Sequence, residues 1–287
     1  MDSAGNAPRS CGRTSFLVGQ DCGPLPAAGN PYRVEIEDGA RDDVGSVEVR
    51  LERTKAERLC AAQTLECDEP IFSAIGTHSD GQTYQFRAVE GEMVRVTIAE
   101  LPGGGSVFAP SWRIIDAFGN GFGSCGSFAS VSRNSCGPLP AAGNPYAVQV
   151  TDGSLNDVGS YAIHLHRLSL DRACDQVELT CGVSTAAMID NVADSDLFAF
   201  EAPDLEMVRV SVSILPGTGL HFAPEWRLID AAGNPAPSSG AFTLASITDC
   251  PDLPASHGPY RVEVQDEFHN GTGDYEVRVD FLTTACP

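Results

Sequence analysis

Positive charge is scarce in this chain. Only 18 Lys and Arg stand against 39 Asp and Glu, a net charge of −21 over 287 residues. Such a surface repels phosphate backbones and anionic lipids, which excludes nucleic acid and membrane surfaces as partners; it suits calcium, basic partners or plain solubility. No apolar run reaches 18 residues, so no membrane-spanning segment is predicted. The opening Met1-Asp-Ser-Ala-Gly-Asn-Ala-Pro-Arg-Ser has neither the basic nor the apolar stretch of a secretory leader. Also missing are a sustained 3.6-residue hydrophobic period, a His-Glu-x-x-His helix, a Gly-x-Ser-x-Gly elbow and a phosphate-binding Walker loop. Gly119-Asn-Gly-Phe-Gly123 and Gly103-Gly-Gly-Ser106 lead from no strand into a helix and read as turns. The acids offer no basis for selecting an acid/base pair, so no catalytic residue is expected.

Cysteine, glycine and repetition are abundant instead. The string Asp21-Cys-Gly-Pro-Leu-Pro-Ala-Ala-Gly-Asn-Pro-Tyr32-Arg-Val-Glu-Ile-Glu-Asp38 recurs from Ser135 to Asp152 and, more loosely, from Asp249 to Asp266. Cys22, Cys136 and Cys250 are 114 residues apart each time, the length of an independent domain. The register extends through Met93-Val-Arg-Val and Met207-Val-Arg-Val, and through Trp112-Arg-Ile-Ile-Asp116 and Trp226-Arg-Leu-Ile-Asp230. Met1 to Asn6 align with Ile115 to Asn120, so the first residue falls within a repeat. Residues 1–54 are therefore expected to be the second half of one unit, followed by complete units at 55–168 and 169–287. A mature piece of a longer, exported protein is the expectation.

Within a unit the hydrophobic period is two. Tyr84 and Phe86, then Val94, Val96 and Ile98, then Tyr146, Val148 and Val150, then Tyr161, Ile163 and Leu165 alternate with polar residues, as half-buried strands do. Turn clusters such as Leu215-Pro-Gly-Thr-Gly219 separate the strands. The fold class predicted is all-β: tandem antiparallel β-sandwiches, jelly-roll-like, with a period of about 114 residues. The last two strands of a unit, such as Tyr260–Asp266 and Asp274–Phe281, are joined by a polar, Gly-containing loop, and a closing hairpin is predicted. Its outward face is expected to carry charge.

These segments resemble the bacterial pre-peptidase C-terminal domain, a secreted β-sandwich often appended to extracellular peptidases. Ala193-Asp-Ser-Asp-Leu-Phe-Ala-Phe200 looks like its acidic entry strand, Glu206 to Val212 its second strand and Trp226 to Gly233 its strand-turn. Gly258-Pro-Tyr-Arg-Val-Glu-Val264 and Gly273-Asp-Tyr-Glu-Val-Arg-Val279 resemble its closing hairpin. The middle unit departs from this at Gln82, where the last has Asp196. By analogy with collagen-binding modules of similar fold, the resemblance suggests calcium, without assigning ligands.

Candidate sites are few. His164 and His166 share one face of a strand, but the other copies carry Arg50 and Glu52, or Arg278 and Asp280, there. A solvent-facing strand is expected, because a metal site needs a third ligand and the sequence suggests none. Calcium candidates are the loop residues Asp38, Asp42, Asp43, Asp152, Asn156 and Asp157, with the entry-strand pair Asp194 and Asp196. Asp and Asn also bond their own backbone in turns. Trp112 and Trp226 are expected in the core rather than as sugar platforms, since Trp226 and Leu228 share a face opposite Arg227.

The ten cysteines read as a disulfide framework of the kind that persists outside the reducing cytosol. One scheme pairs neighbours: Cys11 with Cys22, Cys60 with Cys67, Cys125 with Cys136 and Cys174 with Cys181. Its rival pairs Cys22 with Cys60 and Cys136 with Cys174. The local scheme is preferred, with Cys250–Cys286 as an added pair. The function expected is a non-catalytic segment of a secreted or cell-surface protein, serving adhesion, spacing or assembly with other extracellular proteins or copies of itself. Rival readings are an accessory region of a secreted hydrolase that binds a polysaccharide or protein fibre, with calcium, and a filament or surface-layer subunit completed by strand addition.

Overall fold

The structure, a computed structural model, describes residues 62–286 except 68, 104–107, 128–130, 170–172, 175, 219–220, 237–242 and 245. Before these it describes residues 3, 22–23, 25–36, 45–51 and 53. The half-unit expected over 1–54 therefore lies largely outside the described residues, as do Cys11 and Cys60. No α-helix occurs among the described residues.

Nine strands come first: β1 (Gln63–Thr64), β2 (Ile71–Ile75), β3 (Gly81–Phe86), β4 (Glu92–Glu100), β5 (Pro110–Ile115), β6 (Gly121–Ser127), β7 (Val131–Leu139), β8 (Tyr146–Asp152) and β9 (Gly159–Arg167). Nine more follow: β10 (Val177–Glu178), β11 (Thr185–Ile189), β12 (Ser195–Phe200), β13 (Glu206–Ile214), β14 (Pro224–Ile229), β15 (Thr243–Leu244), β16 (Ile247–Leu253), β17 (Tyr260–Asp266) and β18 (Gly273–Phe281). The first nine form a five-stranded sheet, β1-β3-β8-β5-β6, and a four-stranded sheet, β2-β9-β4-β7. The second nine repeat this as β10-β12-β17-β14-β15 and β11-β18-β13-β16. Pairing is antiparallel except for the two-residue edge strands β1 and β10, which run parallel to β3 and β12.

Each sandwich is held by the inward residues of its alternating strands. Tyr84, Phe86, Val96, Trp112, Val148, Tyr161 and Ile163 belong to one buried cluster, and Phe198, Phe200, Val210, Trp226, Val262, Tyr275 and Val277 to its counterpart. Burying each such side chain contributes about 1.5–3 kcal/mol, upper figures for the largest. Both tryptophans are core residues, with Trp112 3% and Trp226 1% exposed.

The repeated Leu-Pro-Ala-Ala-Gly-Asn-Pro-Tyr string builds a structural corner. A 3-10 turn at Ala141–Gly143 lets the Tyr146 hydroxyl donate back to the Pro140 carbonyl at 2.7 Å, while Asn144 bonds both the N–H and the C=O of Ala88. Tyr260 donates to Pro254 at 2.8 Å, and Tyr32 to Pro26 at 2.6 Å across its own 3-10 turn, Ala27–Gly29. The most conspicuous motif thus satisfies backbone groups where the chain enters a strand.

The predicted closing hairpin does not form. β17 pairs with β12 and β14, whereas β18 pairs with β11 and β13 in the opposite sheet; β8 and β9 divide likewise. The connecting loop arches over the core, so Tyr260, Val262 and Val264 join Tyr275, Val277 and Val279 in one core without pairing their backbones. Alternation marks which side chains point inward, and an arch satisfies it as well as a hairpin does.

Of the preferred disulfides whose two cysteines both lie among the described residues, Cys125–Cys136 is present, with Cα atoms 5.4 Å apart, whereas Cys11, the preferred partner of Cys22, lies outside the described residues. Cys67 bonds Cys174, and Cys181 bonds Cys286, with Cα separations of 5.9 and 5.4 Å. Local pairing at Cys60–Cys67 and Cys174–Cys181, the rival Cys136–Cys174 and the added Cys250–Cys286 are all overturned. The reason is topological. β1 and β10 lie at the sheet edges, and the segment that follows each of them meets the segment leaving the sandwich, so each bond ties a unit's entrance to its exit. Cys250 is buried in β16 opposite Val208, and Cys22 also forms a disulfide.

Candidate functional site

The outward face of β4 and β9 does not meet solvent. It lies against the outward face of β12, β17 and β14, forming a junction between the sandwiches. Arg95 from β4 is 1% exposed and its guanidinium grips Glu263 of β17, Nη2 donating to Oε2 at 2.7 Å and Nη1 pairing with Oε1. Arg227 Nε donates to the same Glu263 Oε2 at 2.8 Å, and Arg227 Nη2 reaches across to Ser135 Oγ at 3.0 Å. Gln265 accepts from Arg95 at 3.3 Å and donates to Glu225 at 2.7 Å. Arg261 Nη2 donates to the Leu168 carbonyl; burial lowers the pKa of this guanidinium to about 10, which still leaves it charged at neutral pH.

Apolar contacts flank this polar centre. Ala99 and Ala162 pack with Ala193 on one side, and Leu168 packs with Leu197 and Ile229 on the other. Buried ions cost several kcal/mol each to desolvate, so such a set persists only where partners and hydrogen bonds are in place. Glu263 has two guanidiniums, which meets that condition.

At one end of the junction, β9 presents His164 and His166 to the turn before β12. The imidazole centroids are 4.0 Å apart, and the residues are 3% and 5% exposed. This corrects the expectation of a solvent-facing strand. Both side chains do point out of their own sandwich, but the second sandwich covers them. His166 Nε2 lies 3.1 Å from the Ala193 carbonyl and its Nδ1 3.0 Å from Ser195 Oγ. His164 Nε2 lies 3.1 Å from the Cys67 carbonyl, and its Nδ1 3.4 Å from Asp194 Oδ1. Burial, and then the neighbouring His164, hold the His166 imidazole well below its ordinary value, so that ring is neutral at physiological pH. Ala193 adopts φ 67°, left-handed backbone that a residue with a Cβ rarely takes, and it thereby aims its carbonyl at His166. The cluster opens on a cleft of about 230 Å³ also lined by Cys67, Cys174, Asp190 and Asp196.

The structure separates the calcium candidates. Asp38, Asp42 and Asp43 lie outside the described residues. Asp152 is buried, and its carboxylate accepts from the N–H groups of Ala109, Asn156 and Asp157 at 3.1, 3.0 and 3.3 Å. Asp266 does the same in the second sandwich with Ala223, Asn270 and Gly271 at 2.8, 3.0 and 3.1 Å. These are turn-capping carboxylates satisfied by backbone donors. Asp157 Oδ1 accepts from Val158 N–H at 2.8 Å. The entry-strand pair divides: Asp194 faces His164, while Asp196 accepts the Tyr275 hydroxyl at 2.5 Å.

Arg95, Glu263, Arg227 and Gln265 were not singled out as functional in the sequence. A signal for them exists: Arg95-x-Thr97 and Glu263-x-Gln265 occupy outward positions of strands whose inward positions are apolar, and Gln149 stands where Glu263 does one repeat later.

No protein-family model and no curated protein matches the chain. Among solved structures, the chain is similar to the pre-peptidase C-terminal domain of a collagenase from Bacillus anthracis, at 18% identity over 38% of this chain and 98% of that one, with a TM-score of 0.30. It is also similar to the tandem CBM51 modules of a family 98 glycoside hydrolase from Streptococcus pneumoniae, at 9% identity over 75% and 84%, with a TM-score of 0.26. The CUB1-EGF-CUB2 domains of rat MASP-1 share 8% identity over 75% and 100%, with a TM-score of 0.19.

Proposed function

We propose that the chain is a non-catalytic, extracellular spacer in which β-sandwiches are joined stiffly, sheet face against sheet face, holding whatever adjoins them at a set distance and angle. The observation that carries this reading is the junction, where Arg95 and Arg227 share the buried Glu263. A flexible linker would leave these charges in water; burying them favours one relative orientation, because any sliding strands a charge without its partner. Three disulfides among the described residues support an oxidising compartment, and the resemblance to a secreted accessory sandwich agrees with that setting.

The test is a distance distribution. Spin labels carried by unnatural amino acids at the exposed Phe72 and Ile247, one in each sandwich, should give a single narrow peak in the full chain. Glu263→Ala, which leaves two guanidiniums facing each other, should broaden that peak and lower stability by about 3–5 kcal/mol. A broad distribution in the unaltered chain would overturn the spacer reading, as would catalysis abolished by one substitution.

A further inference from the structure

We propose that His164, His166 and Asp194 bind one divalent transition-metal ion of the zinc class, which clips the two sandwiches together. One ligand atom from each of the three lies within 4.8 Å of the other two. The two histidines come from β9 of the first sandwich and the aspartate from the entry to β12 of the second, so a shared ion bridges the junction. The third ligand, which the sequence does not reveal, is supplied by the neighbouring sandwich.

Hydrogen bonding sets the direction of the lone pairs. A carbonyl only accepts, so the His164 nitrogen facing the Cys67 carbonyl carries the proton, and so does the His166 nitrogen facing Ala193. In the neutral rings both Nδ1 atoms then carry the lone pair, that of His166 accepting from the Ser195 hydroxyl at 3.0 Å, which an ion would displace, and both rings are fixed from behind by backbone carbonyls, the outer contact that orients ligating imidazoles. His164 Nδ1 is buried without a hydrogen-bond partner, 3.4 Å from a carboxylate oxygen. Two electron-rich atoms face each other across that gap. Bonds of about 2.0–2.1 Å in a tetrahedral zinc sphere place neighbouring ligand atoms about 3.3 Å apart, so the gap already has the edge length of such a site.

The chain contains its own comparison. One repeat earlier, Arg50 occupies the position of His164 and Asp80 that of Asp194, and the Arg50 guanidinium pairs with the Asp80 carboxylate. There the protein supplies the positive charge itself. Replacing that Arg with His removes the charge but keeps the carboxylate, and adds a second imidazole where the earlier copy has Glu52. An ion restores the missing charge. Asp190 and Glu69 line the adjoining cleft and strengthen its attraction for cations, while the 18% exposure of Asp194 leaves an entry path. Two imidazoles with one carboxylate suit zinc; calcium prefers an all-oxygen shell.

The experiment uses the full chain stripped of metal with chelator, then titrated with Zn²⁺ in a calorimeter and with Co²⁺ in a spectrophotometer. One ion per chain is expected, with the visible bands of four-coordinate cobalt and a rise in melting temperature on zinc addition. His166→Ala and Asp194→Asn each remove a direct ligand and should weaken binding by more than the roughly 10–100-fold that loss of an outer contact costs. His164→Arg, which copies the earlier junction, should remain folded, abolish binding and melt at a temperature zinc no longer changes. The proposal is overturned if neither metal binds, if these substitutions leave binding intact, if calcium alone binds, or if acid stabilises the junction with no metal effect, which would make imidazolium the missing charge.

Discussion

At the residue scale, Glu206 shows how one carboxylate ties a chain end to its sandwich. It is buried at the start of β13, where Oε1 accepts from the N–H groups of Leu282 and Thr283 at 2.9 and 2.8 Å and Oε2 accepts the Thr284 hydroxyl at 2.7 Å. Burial alone would raise its pKa, but the hydrogen bonds from Thr283 and Thr284 outweigh it and hold the carboxyl at about 2, below its ordinary 4.5. A folded value below the unfolded one means that its stabilisation is complete above pH 4.5 and is lost as the pH falls toward 2. Thermal melts across that window should therefore show the unaltered chain losing more stability than Glu206→Gln, whose deficit at neutral pH should shrink with acid. Equal slopes would mean the bonds to the exit segment do not form. One repeat earlier Glu92 uses a different partner, Arg167, with Val89 N–H at 2.8 Å. The same position thus anchors the end of a sandwich by two chemistries.

At the element scale, the turn after β14 is built around Gly233, with φ 91° and its Cα against Leu168. A Cβ there would lie 2.7 Å from the Leu168 carbonyl oxygen, the acceptor of Arg261. Gly233→Ala is expected to destabilise the chain by more than the roughly 1 kcal/mol of an ordinary glycine substitution and to raise hydrogen exchange in Arg261 and its neighbours first. Uniform exchange changes would place the damage elsewhere. The strands were legible in the sequence because Tyr84, Val96, Val148 and Ile163 alternate with polar neighbours. Their pairing was not, because alternation records the face of a side chain and says nothing of which neighbour takes the backbone hydrogen bonds. The outward positions of β9 and β17 were legible in the same limited sense: His164 and Glu263 do leave their own sandwich, but a single-unit pattern contains no trace of the surface that covers them. Cysteine spacing in the chain misled for a related reason, since Cys67 and Cys174 are distant in sequence and meet only where entrance and exit converge.

At the scale of the whole molecule, the two entrance-to-exit disulfides determine how the chain responds to being pulled. Cys67–Cys174 and Cys181–Cys286 enclose loops of 107 and 105 residues. Tension entering a sandwich at one cysteine leaves at the other without loading the strands between them, so the polypeptide inside each loop is shielded from extension. At about 3.3–3.6 Å per residue, each loop stores roughly 350 Å of contour length. Single-molecule stretching should find no lengthening on that scale while the bonds are intact, and two steps of about that size, less the folded dimension, after reduction. Steps of that length under oxidising conditions would contradict the pairing. Between the loops the load passes through the segment from Cys174 to Cys181, which carries β10, and through the junction, so the buried Arg95–Glu263–Arg227 cluster and the His164–Asp194 contact are expected to yield first. A chain cross-linked in this way is expected to keep its length under load and to part at the junction before its sandwiches open.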